Sequence, residues 1–332
     1  MVSHSTNPST PPRLYAIAGT TPPIVLHPPS SPNKSSLSSR CDDGLSSGLV
    51  AGGIVRAPEP PSKVKPVPET GALRIAVLLN SYRSRLLPAI RASYQRTIAA
   101  VAPDAQLAFY EPANRPGEFP NPDYFDLIVL GGSNVDPRKR HPWILDVHDF
   151  VRRLVRDYPH KKLLGICWGH QTISTVFGGK VVDAPVPEMG VASVNLTSQG
   201  RQFFHEVADS GSFRLQQHHR REVAAGPHGF TMLADSNQCF LSESNTILTF
   251  QGHPEKDAET ARLRLHDSVR WFGFDALSDE KAWAQLVLLI NTPHDGEMVW
   301  RRIFEWVSEP RSETSSSQQK AASALVEKAS KI

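Results

Sequence analysis

Cysteine is scarce in this chain, and its scarcity excludes several classes of protein. Only Cys41, Cys167 and Cys239 occur among 332 residues, an odd number at spacings that match neither a disulfide framework nor a paired-cysteine metal site. So few cysteines fit a reducing compartment better than an oxidising one. We therefore expect a cytoplasmic protein.

Long apolar runs and blocks of like charge are missing as well. No apolar run approaches the roughly 20 residues that a membrane-spanning helix needs, and the N-terminus lacks the pattern of a signal peptide. Residues 1–41 contain no Asp or Glu, and this lack of acidic residues is typical of organelle import peptides. Proline pairs at 22–23 and 28–29 would, however, break the amphipathic helix that an import peptide requires. The net charge of +3 comes from 36 basic and 33 acidic residues spread along the chain. We expect neither a membrane nor a nucleic acid as partner.

The composition changes twice along the chain. Residues 1–70 are crowded with Pro, Ser and Gly, as in TPPIVLHPPSSPNKSSLSS, and cannot bury enough apolar surface to offset chain entropy. The end of the chain is again polar, as in SETSSSQQK. The sequence predicts a disordered Pro/Ser-rich tail at 1–70, a folded domain at 71–308 and a polar C-terminal tail at 309–332.

Within the folded domain, short apolar runs rich in β-branched residues alternate with segments of helical period. The predicted strands are LRIAVLL, QLAFYE, FDLIVLGG and KLLGIC, with helices at 84–101, 143–158 and 168–179 and several shorter strands up to ILTFQGH. Two helices, AETARLRLHDSVRWF and EKAWAQLVLLIN, are expected to finish the domain. This order predicts an α/β fold with an open, mostly parallel, doubly wound sheet and helices on both faces.

The segment Gly165-Ile166-Cys167-Trp168-Gly169 lies where a buried strand is predicted to turn directly into a helix. The corner residue is strained and exposed, and glycines two positions away leave room where strand and helix cross. The helix N-terminus should favour a thiolate near neutral pH. The segment predicts Cys167 as a nucleophile, although the pattern alone also fits a core cysteine at a strand end.

Two further segments supply partners for this cysteine. In His253-Pro254-Glu255, proline biases His253 toward extended backbone, so that Glu255 projects to the same side and can orient the imidazole. The pair Gly131-Gly132 ends another buried strand, where its N–H groups, with that of Trp168, predict an oxyanion hole. Alone, the first segment also fits a loop histidine and the second a tight turn.

Together these motifs resemble the class I glutamine amidotransferases, in which a G-x-C-x-G-x-Q elbow is followed by a late H-P-E. The resemblance spans about 75–256 and rests on GICWGHQ and FQGHPE, with an E-x-G segment at 188–190 and QQHHRREV behind them. It implies Cys167 as nucleophile, His253 as general acid/base and Glu255 as its orienter. It also implies Gly131, Gly132 and Trp168 around the oxyanion and Gln171 in the glutamine pocket, with no metal and no cofactor.

The chain departs from the family at one position of the segment QQHHRREV. Family members often carry H-x-D before the valine, whereas His219-Arg220-Arg221 places arginine where aspartate would stand. The reversed charge puts in doubt any contact with a partner carried over from the family. We expect His170, His218 and His219 to be structural, and Cys239 to be an inert strand thiol.

The resemblance implies a hydrolase that cleaves the γ-amide of glutamine through a glutamyl thioester. Because the sequence has no P-loop, the ammonia would serve a separate biosynthetic enzyme, and stand-alone members of the family suggest secondary metabolism. Two alternatives stay open. One is a γ-glutamyl peptidase acting on glutathione conjugates or γ-glutamyl peptides, and the other is a non-catalytic regulatory or scaffold subunit.

Overall fold

Strands and helices alternate along the residues that the computed structural model describes, 71–272 and 280–312. In this part of the chain, strands β1 to β9 are Arg74–Leu78, Gln106–Tyr110, Leu127–Leu130, Lys162–Ile166, Lys180–Asn195, Ser212–Ala225, Phe230–Ala234, Cys239–Ser242 and Ile247–Phe250. Helices α1 to α7 are Leu87–Ala99, Pro142–Asp157, Trp168–Val176, Ser198–Phe203, Ala258–Phe272, Glu280–Ile290 and Gly296–Ser308. Short 3-10 turns occupy Pro122–Tyr124, His205–Val207 and Asp235–Asn237. The predicted tail at 1–70 and positions 313–332 of the C-terminal tail lie outside the described residues.

Seven of these strands form one sheet in the order β2-β1-β3-β4-β9-β8-β7. The pairs among β2, β1, β3, β4 and β9 are parallel, and β8 and β7 add an antiparallel edge. This confirms the predicted mostly parallel sheet. Strand order reverses at β1, with β2 on one side and β3 on the other, and ligands of open α/β sheets bind at the carboxyl ends of strands beside such a reversal.

Helices cover both faces of the sheet, as predicted. Every residue of β3, β4 and β9 is buried, which is typical of strands covered on two sides. Alternate residues of β3 enter two separate apolar clusters: Leu127 and Val129 lie in one, Ile128 and Leu130 in the other. The first cluster includes residues of α1 and α7, and the second includes residues of α2 and α3.

The segment between α3 and β7 differs from the prediction. Instead of several short strands, β5 and β6 form a long antiparallel pair in a separate two-stranded sheet. The pairing is interrupted between Asp183 and Glu188, where Pro185 and Pro187 cannot donate ladder hydrogen bonds. Because proline is rare inside strands, the sequence predicted several short strands where the structure has one long strand, β5.

Helix α7 was missed by the sequence analysis, which ended the helices at 291. Val299, Ile303 and Trp306 recur at i, i+4 and i+7, are fully buried and belong to the first apolar cluster. The signal was thus present in the sequence. The described residues from Ala72 onward belong to one compact unit, and none of their helices is long and apolar enough to cross a membrane.

Candidate active site

Cys167 sits at the corner between β4 and α3. Its backbone has φ +52° and ψ −100°, a combination that L residues rarely adopt. The Cys167 N–H donates to the Phe250 carbonyl at 2.8 Å, so the corner is tied to the end of β9. The strained elbow that the glycine spacing predicts is therefore present, but the predicted exposure of its corner residue is wrong, because Cys167 is buried with 6% exposure.

The two glycines of the elbow are required by close approach. A Cβ at Gly165 would lie 2.6 Å from Ile173 Cδ1 and 3.0 Å from the Gly169 carbonyl oxygen, where strand and helix cross. A Cβ at Gly169 would instead overlap the backbone carbonyl of Leu130 in β3. Only residues without a side chain let α3 lie this close to the sheet.

His253 and Glu255 form a buried pair beside this corner. The distance from His253 Nδ1 to Glu255 Oε1 is 2.7 Å, and each residue is 5% exposed. His253 Nε2 has no hydrogen-bond partner among the described residues. A Cβ built on Gly132 would lie 3.4 Å from His253 Cε1 and 3.9 Å from Cys167 Cβ, so the imidazole and the cysteine flank the same glycine.

Helix α1 holds the loop that carries this pair. The Ser93 hydroxyl donates to the Glu255 carbonyl at 2.7 Å and accepts from the Asp257 N–H at 3.0 Å. The His253 N–H donates to the Gln216 carbonyl of β6 at 2.9 Å. Two elements distant in sequence, α1 and β6, therefore fix the backbone around the histidine.

The predicted oxyanion hole needs one correction. The Gly131 N–H donates to the Leu78 carbonyl at 3.1 Å and continues the sheet ladder, so this N–H is not available to a substrate. The Gly132 N–H has no acceptor within the described ranges, and the Trp168 N–H forms a hydrogen bond with the Cys167 sulfur. Gly132 and Trp168 are thus the two predicted donors whose N–H groups are not used by the sheet ladder.

Gln171 lies one turn into α3 and is buried. Its side-chain amide donates to the Arg221 carbonyl at 2.8 Å and to Gln251 Oε1 at 3.0 Å. It is not among the residues that line the pocket at Cys167. The structure therefore gives Gln171 an internal bracing role between α3, β6 and the end of β9.

The protonation states differ from the prediction of a thiolate. Burial, reinforced by the Glu255 charge, raises the pKa of Cys167 to about 11, although Lys256, Arg264 and the Trp168 N–H act in the opposite direction. Burial lowers the pKa of His253 to about 4, with Lys256 adding to the effect and Glu255 opposing it. Burial alone would raise the pKa of Glu255, but His253 holds it below the usual value. At neutral pH the site holds a thiol, a neutral imidazole and a carboxylate.

The pocket at Cys167 is lined by more than the motif residues. Gly132, Ser133, Cys167, His253 and Glu255 line it, and α1 adds Ile90, Ser93 and Tyr94. Lys256 and Arg264 line the same pocket, as does His218, which the sequence analysis took to be structural. Lys256 directly follows the H-P-E segment, and that adjacency was the signal that could have identified it.

The departures from the family pattern have structural counterparts. Arg221 is buried, and its Nε lies 3.4 Å from Asp136 and 3.8 Å from Asp183, so two carboxylates accompany the reversed charge. His219 Nε2 lies 3.1 Å from Glu188 Oε2, which agrees with a structural role.

The two remaining residues of the sequence analysis are internal. His170 Nδ1 forms a hydrogen bond with Thr249 Oγ1 at 2.9 Å, and the His170 ring stacks on Phe240. Cys239 is a buried thiol in β8. Among the described residues, no group of three or more His, Cys, Asp or Glu is arranged to hold a metal ion.

Comparison with known proteins bears on the same region. A family model described as "Glutamine amidotransferase class-I" matches residues 110–268. The chain is 36% identical over 240 residues to "Glutamine amidotransferase-like protein chyE" of Penicillium rubens, covering 71% of this chain and 98% of that protein. It is 33% identical to "Gamma-glutamyl peptidase 3" of Arabidopsis thaliana, over 43% of this chain and 61% of that protein. A crystal structure of a glutamine amidotransferase from Thermotoga maritima matches 72% of this chain and all of its own, with 17% identity and a TM-score of 0.55.

Proposed function

Because the chain belongs to the class I glutamine amidotransferase family, we propose that it is a cysteine hydrolase that cleaves the γ-amide of glutamine. One observation carries the proposal. A strained cysteine, a buried His253–Glu255 pair and the free N–H of Gly132 meet at one pocket, at the carboxyl end of the sheet. Members of this family are typically hydrolytic enzymes, and the intact set of groups argues against a purely structural subunit.

The first half of the proposed reaction acylates Cys167. Neutral His253 takes the proton from the thiol as the sulfur attacks the γ-carbonyl carbon, because a thiol with a raised pKa needs an adjacent base. The carbonyl oxygen becomes an oxyanion that accepts hydrogen bonds from the N–H groups of Gly132 and Trp168. When the tetrahedral intermediate collapses, His253 gives its proton to the departing nitrogen, which leaves as ammonia.

The second half releases glutamate. Water attacks the glutamyl thioester while His253 accepts one of its protons, and the same two N–H groups hold the second oxyanion. The C–S bond then breaks, glutamate departs, and the proton on His253 returns to the sulfur. Glu255 keeps the imidazole oriented throughout by accepting from Nδ1–H at 2.7 Å.

The proposal extends to the setting of the enzyme. We propose that residues 71–308 form the catalytic domain, flanked by tails at 1–70 and 309–332, and that it works in the cytoplasm. Ammonia would pass to a separate synthetase in a biosynthetic pathway of secondary metabolism, because the chain carries no P-loop of its own. The name of the relative chyE, an amidotransferase-like protein, does not specify that partner.

A second candidate keeps the chemistry and changes the substrate to a γ-glutamyl peptide or a glutathione conjugate. It is favoured by similarity to γ-glutamyl peptidases at 32–33% identity, over less than half of this chain. Cationic side chains on the pocket wall also favour it, since ammonia as a leaving group makes no use of them.

Glutamate release from glutamine and from glutathione by the purified protein tests both candidates. We expect turnover of glutamine that disappears in Cys167→Ser, while Cys239→Ser, which removes a buried thiol outside the pocket, retains it. Turnover of glutathione alone would replace the first candidate with the second. Absence of turnover with both substrates, alone and with added candidate synthetases, would refute the hydrolase.

A further inference from the structure

The pocket at Cys167 contains a lysine that the proposed chemistry does not use. Lys256 follows Glu255 in the chain, lines the pocket and is 5% exposed. Across residues 71–272 and 280–312, no side-chain or backbone acceptor forms a hydrogen bond or ion pair with its ammonium group. A buried ammonium without such a partner is energetically costly unless a ligand supplies one.

Among the described residues, no ion pair joins Lys256 to the acidic groups next to it, although Glu255 Oε2 has no hydrogen-bond partner there and the Glu255 charge acts on the lysine. Glu255 Oε1 accepts from His253, and Asp257 forms an ion pair with Arg96. Arg264 of α5 lines the same pocket, so a second positive charge adds to the potential at that wall. Burial and the neighbouring Arg264 lower the pKa of Lys256 to about 7, against the pull of Glu255 and Cys167. An anion entering the pocket would relieve this repulsion and restore the charged ammonium.

A second unpartnered donor faces the same space. Tyr94 of α1 lines the pocket and is 1% exposed, and its hydroxyl has no hydrogen-bond partner among the described residues. A buried hydroxyl and a buried ammonium, neither with a hydrogen-bond partner in the described part of the chain, are complementary to the two oxygens of a carboxylate.

We propose that Lys256, with the Tyr94 hydroxyl and the charge of Arg264, binds a carboxylate on the leaving group of the substrate. The inference rests on the proposed function, because it assigns a substrate class to that same site. His253 must reach the departing nitrogen to protonate it, and Lys256 follows three residues later in the same loop. The acyl oxygen is instead assigned to Gly132 and Trp168. Ammonia has no carboxylate, so the matching substrate is a γ-glutamyl peptide whose leaving group is an α-amino acid.

Three substrates that share the γ-glutamyl part test this assignment: glutamine, γ-glutamylglycine and γ-glutamylglycinamide. The last two differ only in the carboxylate of the leaving group. The readout is the ratio of kcat/KM for the glycine and glycinamide substrates, because any effect of a variant on the pKa of Cys167 cancels in that ratio. Variants are Lys256→Met, Lys256→Arg and Tyr94→Phe, with Lys180→Met as control, since Lys180 is an exposed lysine at the start of β5.

The wild-type ratio should be about tenfold or more, as expected for a hydrogen bond between charged groups. It should fall to near one in Lys256→Met, fall in part in Tyr94→Phe, be kept by Lys256→Arg and be unchanged in Lys180→Met. A wild-type ratio near one, with glutamine still hydrolysed, would overturn the inference and leave the proposed function standing. So would an equal loss on all three substrates in Lys256→Met. If the wild-type protein hydrolyses none of the three substrates, both the inference and the proposed function are overturned.

Discussion

Alkylation of Cys167 by iodoacetamide should be slow at neutral pH and should rise about tenfold for each pH unit. Only the thiolate reacts, and burial beside Glu255 raises the pKa of this thiol to about 11. At pH 7, four units below that value, roughly one thiol in 10⁴ is ionised. A thiol with a pKa of 9.0 would be ionised about a hundredfold more often.

The assay measures the pseudo-first-order rate from pH 6 to pH 10 by mass spectrometry of the peptide containing Cys167. A Cys41→Ser background removes a cysteine outside the described residues. Two variants test whether neighbouring charges change the alkylation rate of Cys167 in the expected direction. Glu255→Gln removes a charge that raises the pKa of Cys167 and should speed alkylation. Lys256→Met removes a charge that lowers it and should slow alkylation below about pH 7, where Lys256, with its own pKa of about 7, is charged.

A rate that levels off near pH 7 would refute this reasoning. That result would mean that the helix N-terminus and a protonated His253 stabilise a thiolate more strongly than burial opposes it. The resting site would then be an ion pair, and proton transfer to His253 would precede substrate binding.

Three more predictions follow from the described contacts. Gly169→Ala should lower the free energy of unfolding by about 3 kcal/mol in urea denaturation, because its Cβ would overlap the backbone of β3, and an unchanged midpoint would contradict that. Glu255→Gln should lower kcat for glutamine by roughly 10²–10⁴ without unfolding the protein, because His253 loses the acceptor that orients it; a tenfold loss or less would show that other contacts orient the ring. Burial lowers the pKa of His148, His170 and His253 to about 4, 3 and 4, so the unfolded chain binds their protons first as pH falls below about 6.5. These three histidines alone should make the free energy of unfolding fall between pH 6.5 and 4, at a steepest slope of about 4 kcal/mol per pH unit, and His218 and His294, whose pKa values burial also lowers, act in the same direction. Thermal melts that are flat over this range would contradict it.

The local geometry of the site could be predicted from the spacing of neighbouring residues. The strained corner at Cys167 follows from two glycines, and the His253–Glu255 hydrogen bond follows from an extended three-residue segment. The parallel sheet follows from buried β-branched runs. Each of these properties depends on residues within a few positions of one another.

What could not be predicted depends on neighbours that are distant in sequence. The pKa of Cys167 is set by burial beneath α1, β6 and the loop after β9, and none of that cover can be read from GICWGHQ. Whether Gly131 or Gly132 has a free N–H depends on the register of β3 against β1, which fixes the bond from Gly131 to Leu78. Lys256 and Tyr94 line one pocket only because α1 packs against the loop after β9.

The tie between Ser93 and Glu255 joins positions 162 residues apart. During synthesis, α1 leaves the ribosome long before the loop that carries His253, and at about 5–20 residues per second the delay is roughly 8–30 s. A nascent chain therefore has its nucleophile without its base until nearly the whole domain has emerged. Catalytic competence would therefore report that the chain has emerged at least as far as Glu255, because no shorter chain contains the His253–Glu255 pair.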